Sequence, residues 1–315
     1  MPSMPTLPIV STSRCSRLIG IGAIAAFALL AAHPIAGEEP TAGSAPPPTS
    51  ATPDTELESV TVEAKRRRER IDKQVSEFVY SIAGPGKAES LARWNVPVCV
   101  ATAGLTAAEA DFVKKRIAQI ATDADVPVGG PACGPNFAII VTTEPEELLK
   151  AWWSEEHRLF KFDRGAGGVN RFIQADQPVR DWHNACNAPS GIPAHAFSTS
   201  QHCGSGGGTG SRLSWGAVRA IYTAIVVVDL DQIEGLTFGQ VADYVAMIGL
   251  AQIRPNQEMG EVPTILDLFA TSDTDRSKGM TDWDQSFLKA VYATTDGSTT
   301  EISLIKVRMS EELAR

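Results

Sequence analysis

Apolar residues recur along this chain with two different periods, and the switches between those periods lay out its elements. Ile71, Val75, Phe78, Val79 and Ile82 fall at helical spacing, and Gly84-Pro85-Gly86 ends that run. The short apolar stretch Val96–Ala101 reads as a strand. Thr106, followed three residues on by Glu109, forms a capping box for a helix whose inner face is Val113, Ile117, Ile120 and Ala124, and Phe137–Thr142 is a second strand. Strand, helix, strand at this distance predicts a βαβ unit with parallel strands. Ahead of it, the alternation Val60-Thr61-Val62-Glu63 predicts an edge strand.

The second half continues in the same way. Glu144–Trp153 is a short helix, Gln177–His183 a strand, and Ala217–Asp229 a strongly apolar strand, bulged or broken near Tyr222. Thr237 with Gln240 makes another capping box, opening a helix that carries Val241, Val245, Ile248 and Ile253 until Arg254-Pro255 stops it. Pro263–Phe269 is an apolar turn or short helix. Thr281 caps a helix that buries Phe287, Leu288, Val291 and Tyr292, and Thr300–Leu313 is a last amphipathic helix. The predicted class is α+β with an α/β-like N-terminal half: a mixed, twisted sheet containing a βαβ unit, with helices packed on it.

The N-terminus changes the picture by giving an address. Arg14 and Arg17 precede an uncharged run, Leu18–Ala32, that ends in small residues around Gly37. This is the layout of a secretory signal over residues 1–37, so the expected location is periplasmic or extracellular, with no stable membrane span after cleavage. Residues 38–58, rich in Pro, Ala and Thr, read as a disordered linker, and 59–315 as a single globular domain.

Charge and cysteines follow from that address. The chain has 28 Lys and Arg against 37 Asp and Glu. Losing Arg14 and Arg17 with the signal takes the net charge from −9 to near −11, which excludes nucleic acid as a partner class. The basic cluster Lys65–Arg70 sits among acidic residues and reads as a solvated helix start. Cys15 leaves with the signal. The four remaining cysteines, Cys99, Cys133, Cys186 and Cys203, predict two disulfides in an oxidising compartment, with Cys99–Cys133 and Cys186–Cys203 favoured because each pair lies within one local unit.

The order of elements resembles the zincin fold of the matrixin-like metzincin proteases. It runs helix, strand, helix, strand, edge strand, then a capped helix holding Gly249-Leu250, then a turn and a helix ending in Leu288-Lys289-Ala290-Val291-Tyr292. Thr264-Ile265-Leu266 looks like that family's S-I-M turn region, and Met280 through Tyr292 is similar to its L-S-x-x-D helix ending in L-Y. The resemblance implies a central helix with the pattern H-E-x-x-H-x-x-G-x-x-H. Aligning its glycine on Gly249 puts Ala242, Ala246 and Gln252 at the three zinc-ligand positions and Asp243 at the general base.

Alanine has no lone pair to give a metal, and Gln252 alone cannot hold zinc, so the resemblance implies a degenerate, metal-free site without protease activity. No cofactor is expected. Asp243 is expected either on the helix surface or paired with an Arg.

Other chemistry is thinner. His183, His195 and His202 surround the expected Cys186–Cys203 loop, but spacings of 12 and 7 on an irregular segment are no metal signature. Ser190, Ser198 and Ser200 lie near His195 without a G-x-S-x-G elbow. The Gly204–Gly210 run lacks the Lys-Ser or Lys-Thr of a phosphate loop. The expectation is an exported, non-catalytic domain that binds a protein or small ligand in the bacterial envelope. The alternative is a periplasmic hydrolase with its active site near His195 and His202.

Overall fold

The computed structural model describes residues 54–83, 91–160, 165–189, 217–254, 261–270, 276–294 and 300–315. All of them fall in one compact unit that extends from Pro53 to Arg315. Helix α1 (Asp54–Ala83) is followed by β1 (Arg93–Trp94), β2 (Val100–Ala103), α2 (Ala107–Asp123), β3 (Phe137–Thr142), α3 (Pro145–Glu155), α4 (Gly165–Ile173), β4 (Val179–Pro189), β5 (Ala217–Asp229), α5 (Phe238–Leu250), α6 (Asp282–Ala293) and α7 (Glu301–Leu313).

Strand β5 organises the sheet. β3 pairs with it in parallel, Phe137 opposite Ala224, and β2 pairs with β3 in parallel, Val100 opposite Phe137, as expected of the βαβ unit. Strand β4 runs antiparallel along β5, and its register slips between Asn184 and Ala185, leaving Tyr222 as the bulged residue. The two-residue β1 joins β5 nearer its start, Arg93 opposite Ala220. The sheet is therefore mixed, with an antiparallel strand beside the one that feeds α5.

Alternation along the strands separates two cores. Phe137 and Ile139 of β3 with Ile221, Ala224, Val226 and Val228 of β5 face a large cluster shared with α1, α2, α5, α6 and α7. Ile140, Ile225, Val227 and Trp182 face a smaller one closed by Leu149 of α3 and by Val169, Phe172 and Ile173 of α4. Helices thus cover both faces of the sheet, and β5 is buried on both.

Two sequence expectations are corrected. Val60–Glu63 is not an edge strand but part of the continuous helix α1, which begins at Asp54, so residues 54–58 of the expected linker form its first turns. Four alternating residues carry little weight against the helix formers around them. The basic cluster Lys65–Arg70 lies exposed on the same helix. The Cys99–Cys133 disulfide is present, with Cα atoms 6.0 Å apart. Cys203 lies outside the described residues, as do His195, His202, Ser190, Ser198, Ser200 and Gly204–Gly210. Among the described residues no helix is long and apolar enough to cross a membrane.

Candidate functional site

Helix α5 starts where the sequence places it because both halves of its capping box are made, but it ends at Leu250, ahead of the expected Ile253. Gln240 N donates to Thr237 Oγ1 at 3.2 Å, and Thr237 N donates to Gln240 Oε1 at 3.1 Å. From Ala242 to Leu250 every residue is buried. Ala242 and Ala246, at the positions of two expected metal ligands, are 1% and 0% exposed and belong to the packed core. Gln252 lies beyond the helix end, its backbone N–H donating to Ala92 O at 3.0 Å.

Gly249 has its own structural reason. A Cβ there would stand 2.1 Å from the Phe137 ring, so only glycine lets α5 come this close to β3. Trp94 Nε1 donates to Gly249 O at 2.8 Å, and the Tyr292 hydroxyl donates to Leu250 O. Burial of that phenol raises its pKa.

Asp243 is an anchor. It is 2% exposed and accepts from Arg116 Nε at 2.5 Å, Arg116 Nη2 at 2.8 Å and Met280 N at 2.7 Å. Its hydrogen bonds hold the Arg116 guanidinium above the ordinary arginine pKa. A Cβ on Gly279 would come within 2.7 Å of Asp243 Oδ2, so the segment ahead of α6 is glycine where it presses on the carboxylate. One side chain thereby ties α2, α5 and the entry to α6 together. Of the two expectations for Asp243, the arginine pair is the arrangement found, and the helix surface is not.

Asp284, fully buried, acts in the same way in a neighbouring layer. It accepts from Thr264 Oγ1 at 2.5 Å, Ile265 N at 2.9 Å, Thr281 N at 2.9 Å and Thr281 Oγ1 at 2.8 Å, fastening the Ile265–Phe269 turn to the start of α6. Desolvation nevertheless raises its pKa.

Polar groups also meet between α5 and the antiparallel strand. Asp181 and His183 of β4 share the face turned toward α5, where Tyr244 stacks edge-on against Phe269 at 4.8 Å. Burial, with a contribution from the Asp181 charge, raises the Tyr244 pKa. His183 is 1% exposed. Its Nδ1 lies 3.2 Å from Asp181 Oδ2, yet the contact lacks hydrogen-bond geometry, and among the described residues neither ring nitrogen has a hydrogen-bond partner. On the opposite face Trp182 Nε1 donates to Asn184 Oδ1 at 3.0 Å, and Asn184 Nδ2 donates to Leu159 O at 2.7 Å and to Thr223 Oγ1 at 2.6 Å.

The residues at the degenerate metal positions do not fit a zinc ion. Two are methyl groups inside the core, and the carboxylate between them is already bonded to Arg116 and Met280. Among the described residues no three His, Cys, Asp or Glu side chains gather as metal ligands. Besides a crevice of about 20 Å³ beside Arg116 and Leu288, two larger concavities are lined by described residues. One, about 160 Å³, is lined by Leu105, Val113, Ile139, Val241, Ala242 and Phe238 between α2 and α5. The other, about 500 Å³, lies between α2, β2 and the loop closed by the Cys99–Cys133 bond.

No family model, no curated protein and no solved structure matches this chain. Arg116, Tyr244 and the second concavity had no signal in the sequence, because each depends on segments far apart along the chain.

Proposed function

We propose that the chain is an exported, non-catalytic binding or assembly domain of the bacterial envelope, with a zinc-less protease-like fold. The observation that carries this reading is the burial of Ala242 and Ala246 in the core with Asp243 bonded to Arg116 between them. Metal-assisted hydrolysis needs lone pairs converging on the metal and a carboxylate free to take a proton from water. Neither group of atoms is offered there. The resemblance itself rests on the order of elements, with β4 and β5 ahead of the capped helix α5. The address rests on the leader at residues 1–37.

The test is metal analysis of the purified full chain, a broad peptide and ester hydrolysis panel, and crosslinking in cells. Sub-stoichiometric zinc, no turnover and one constant crosslinked partner are the expected results. A stoichiometric zinc signal lost in Gln252→Ala, or peptide turnover, overturns the reading. Labelling by a serine-directed phosphonate that is lost in His195→Ala would replace it with a hydrolase.

A further inference from the structure

We propose that the outer edge of β2 takes up an extended peptide as an added strand, and that this peptide places one apolar and one acidic side chain in the neighbouring groove. The inference deepens the binding-domain reading and rests on it, but it does not depend on the fate of the metal positions.

Main-chain geometry carries the first half. Phe137 N donates to Cys99 O at 3.1 Å and Val100 lies opposite Phe137 in parallel register, so residues 99, 101 and 103 turn their amide groups toward β3. Residues 98, 100 and 102 turn theirs away. Val98 uses its pair on the following loop: Val98 N donates to Pro127 O at 2.8 Å, and Gly129 N donates to Val98 O at 2.9 Å. The loop then departs, and no described residue pairs with the outward groups of Val100 or Thr102. Proline, charged side chains and bulges are the usual guards of such an edge, and the sequence Val-Ala-Thr-Ala over β2 carries no proline or charge. An open edge of this kind is what strand addition uses.

The groove carries the second half. Its volume of about 500 Å³ lies in the range of small-ligand and side-chain pockets. Val98, Val100, Ile117 and Val128 supply an apolar lining, with Val128 41% exposed, and Lys114 and Lys115 stand over it. No carboxylate lines the groove, and neither lysine has an ion-pair partner among the described residues. In a chain with net charge −9 this local sign is reversed, so it selects acidic ligands. The far wall is held by the Cys99–Cys133 bond, against which Gly129 packs so closely that a Cβ would meet Cys99 Sγ at 2.3 Å. Same-face residues of a strand are about 7 Å apart, so an apolar residue in the groove puts the next same-face residue beside the lysines.

The probe is a capped octapeptide with Thr at odd positions and Val and Glu alternating at even positions, titrated into the full chain by calorimetry. Amide hydrogen exchange is read in parallel. Binding should protect the Val100 and Thr102 amides, weaken about tenfold when Lys replaces Glu in the peptide, and prefer that Lys peptide in the Lys114→Glu, Lys115→Glu protein. N-methylation of alternate peptide amides on the pairing side should abolish it. Those peptide variants leave the protein's own folding untouched. No binding, binding without protection of these two amides, or equal binding of the N-methylated peptide overturns the proposal. Protection that rises with protein concentration alone assigns the edge to a second copy and also overturns it. A failure here with a constant crosslinked partner in cells leaves the binding-domain reading standing and moves its site elsewhere.

Discussion

Asp243 on α5 and His183 on the strand β4 are both almost completely buried, and they have opposite hydrogen-bond accounts. Asp243 has three bonds, from two elements distant in sequence. Among the described residues His183 has none, although Asp181 is close by. A buried carboxylate needs bonded partners to be tolerable, and Asp243 has them, whereas the His183 ring is held by packing. Asp243 is therefore a residue the fold is built around. His183 is one the fold merely encloses.

The largest expected effect breaks the first half of that contrast. Arg116→Met strands a carboxylate that is 2% exposed and should cost about 3–5 kcal/mol of unfolding free energy in urea titrations. Asp243→Asn leaves behind a guanidinium whose side chain is 38% exposed and can reach water, so it should cost distinctly less. Combining Arg116→Met with Asp243→Leu should recover much of the loss. Equal losses for the two single variants would show that Asp243 is no more committed than its partner.

Next in size is Gly249→Ala. With a Cβ 2.1 Å from the Phe137 ring, either α5 or β3 must move, at a cost of about 1–3 kcal/mol. Phe137→Leu in the same chain should make the pair less destabilising than the sum of the two, a coupling read from a double-mutant cycle. Additive losses would mean that the glycine serves something other than this close approach.

What could be read from the sequence was local. The capping boxes at Thr106 and Thr237, the cap at Thr281, the strands Phe137–Thr142 and Ala217–Asp229, the irregularity at Tyr222 and the Cys99–Cys133 bond all depend on residues within one or two elements. Strand β1 escaped because two residues have no period; it exists only through pairing with Ala220 and Ile221. Helix α4 escaped because its opening Gly-Ala-Gly-Gly speaks against a helix, which burial of Val169, Phe172 and Ile173 overrides. The Arg116–Asp243 pair spans 127 positions. The functional reading suffers from the same limit, since aligning on Gly249 ranks positions by a motif whereas the glycine answers to a ring on another strand.

The second half of the contrast is sharpened by His183→Leu. If the imidazole is enclosed without a hydrogen bond, removing its nitrogens should raise stability by about 1 kcal/mol, opposite in sign to Arg116→Met and Asp243→Asn. A loss of stability instead would show that the ring is bonded in solution and belongs with Asp243.

Asp267 lies between the two cases, half-buried on the turn beside Asp284, and it gives the smallest effect. Desolvation first, and the Asp284 charge second, push its carboxyl up to about 6 from an ordinary 3.8. In the folded chain the proton is thus held more tightly than in the unfolded one. Below pH 3.8 both states are protonated and the group costs nothing. As pH rises toward 6 the unfolded chain releases the proton first, so stability falls across that window and levels off above it. Asp267→Asn should remove this decline while leaving stability at the acid end unchanged, measured as urea midpoints at about pH 3.5, 5 and 7. Because the side chain is partly open to water, screening keeps the difference modest beside that of Arg116→Met. A variant whose midpoints still fall across that range as steeply as the parent's would assign the decline to Asp284, whose own raised pKa acts in the same direction.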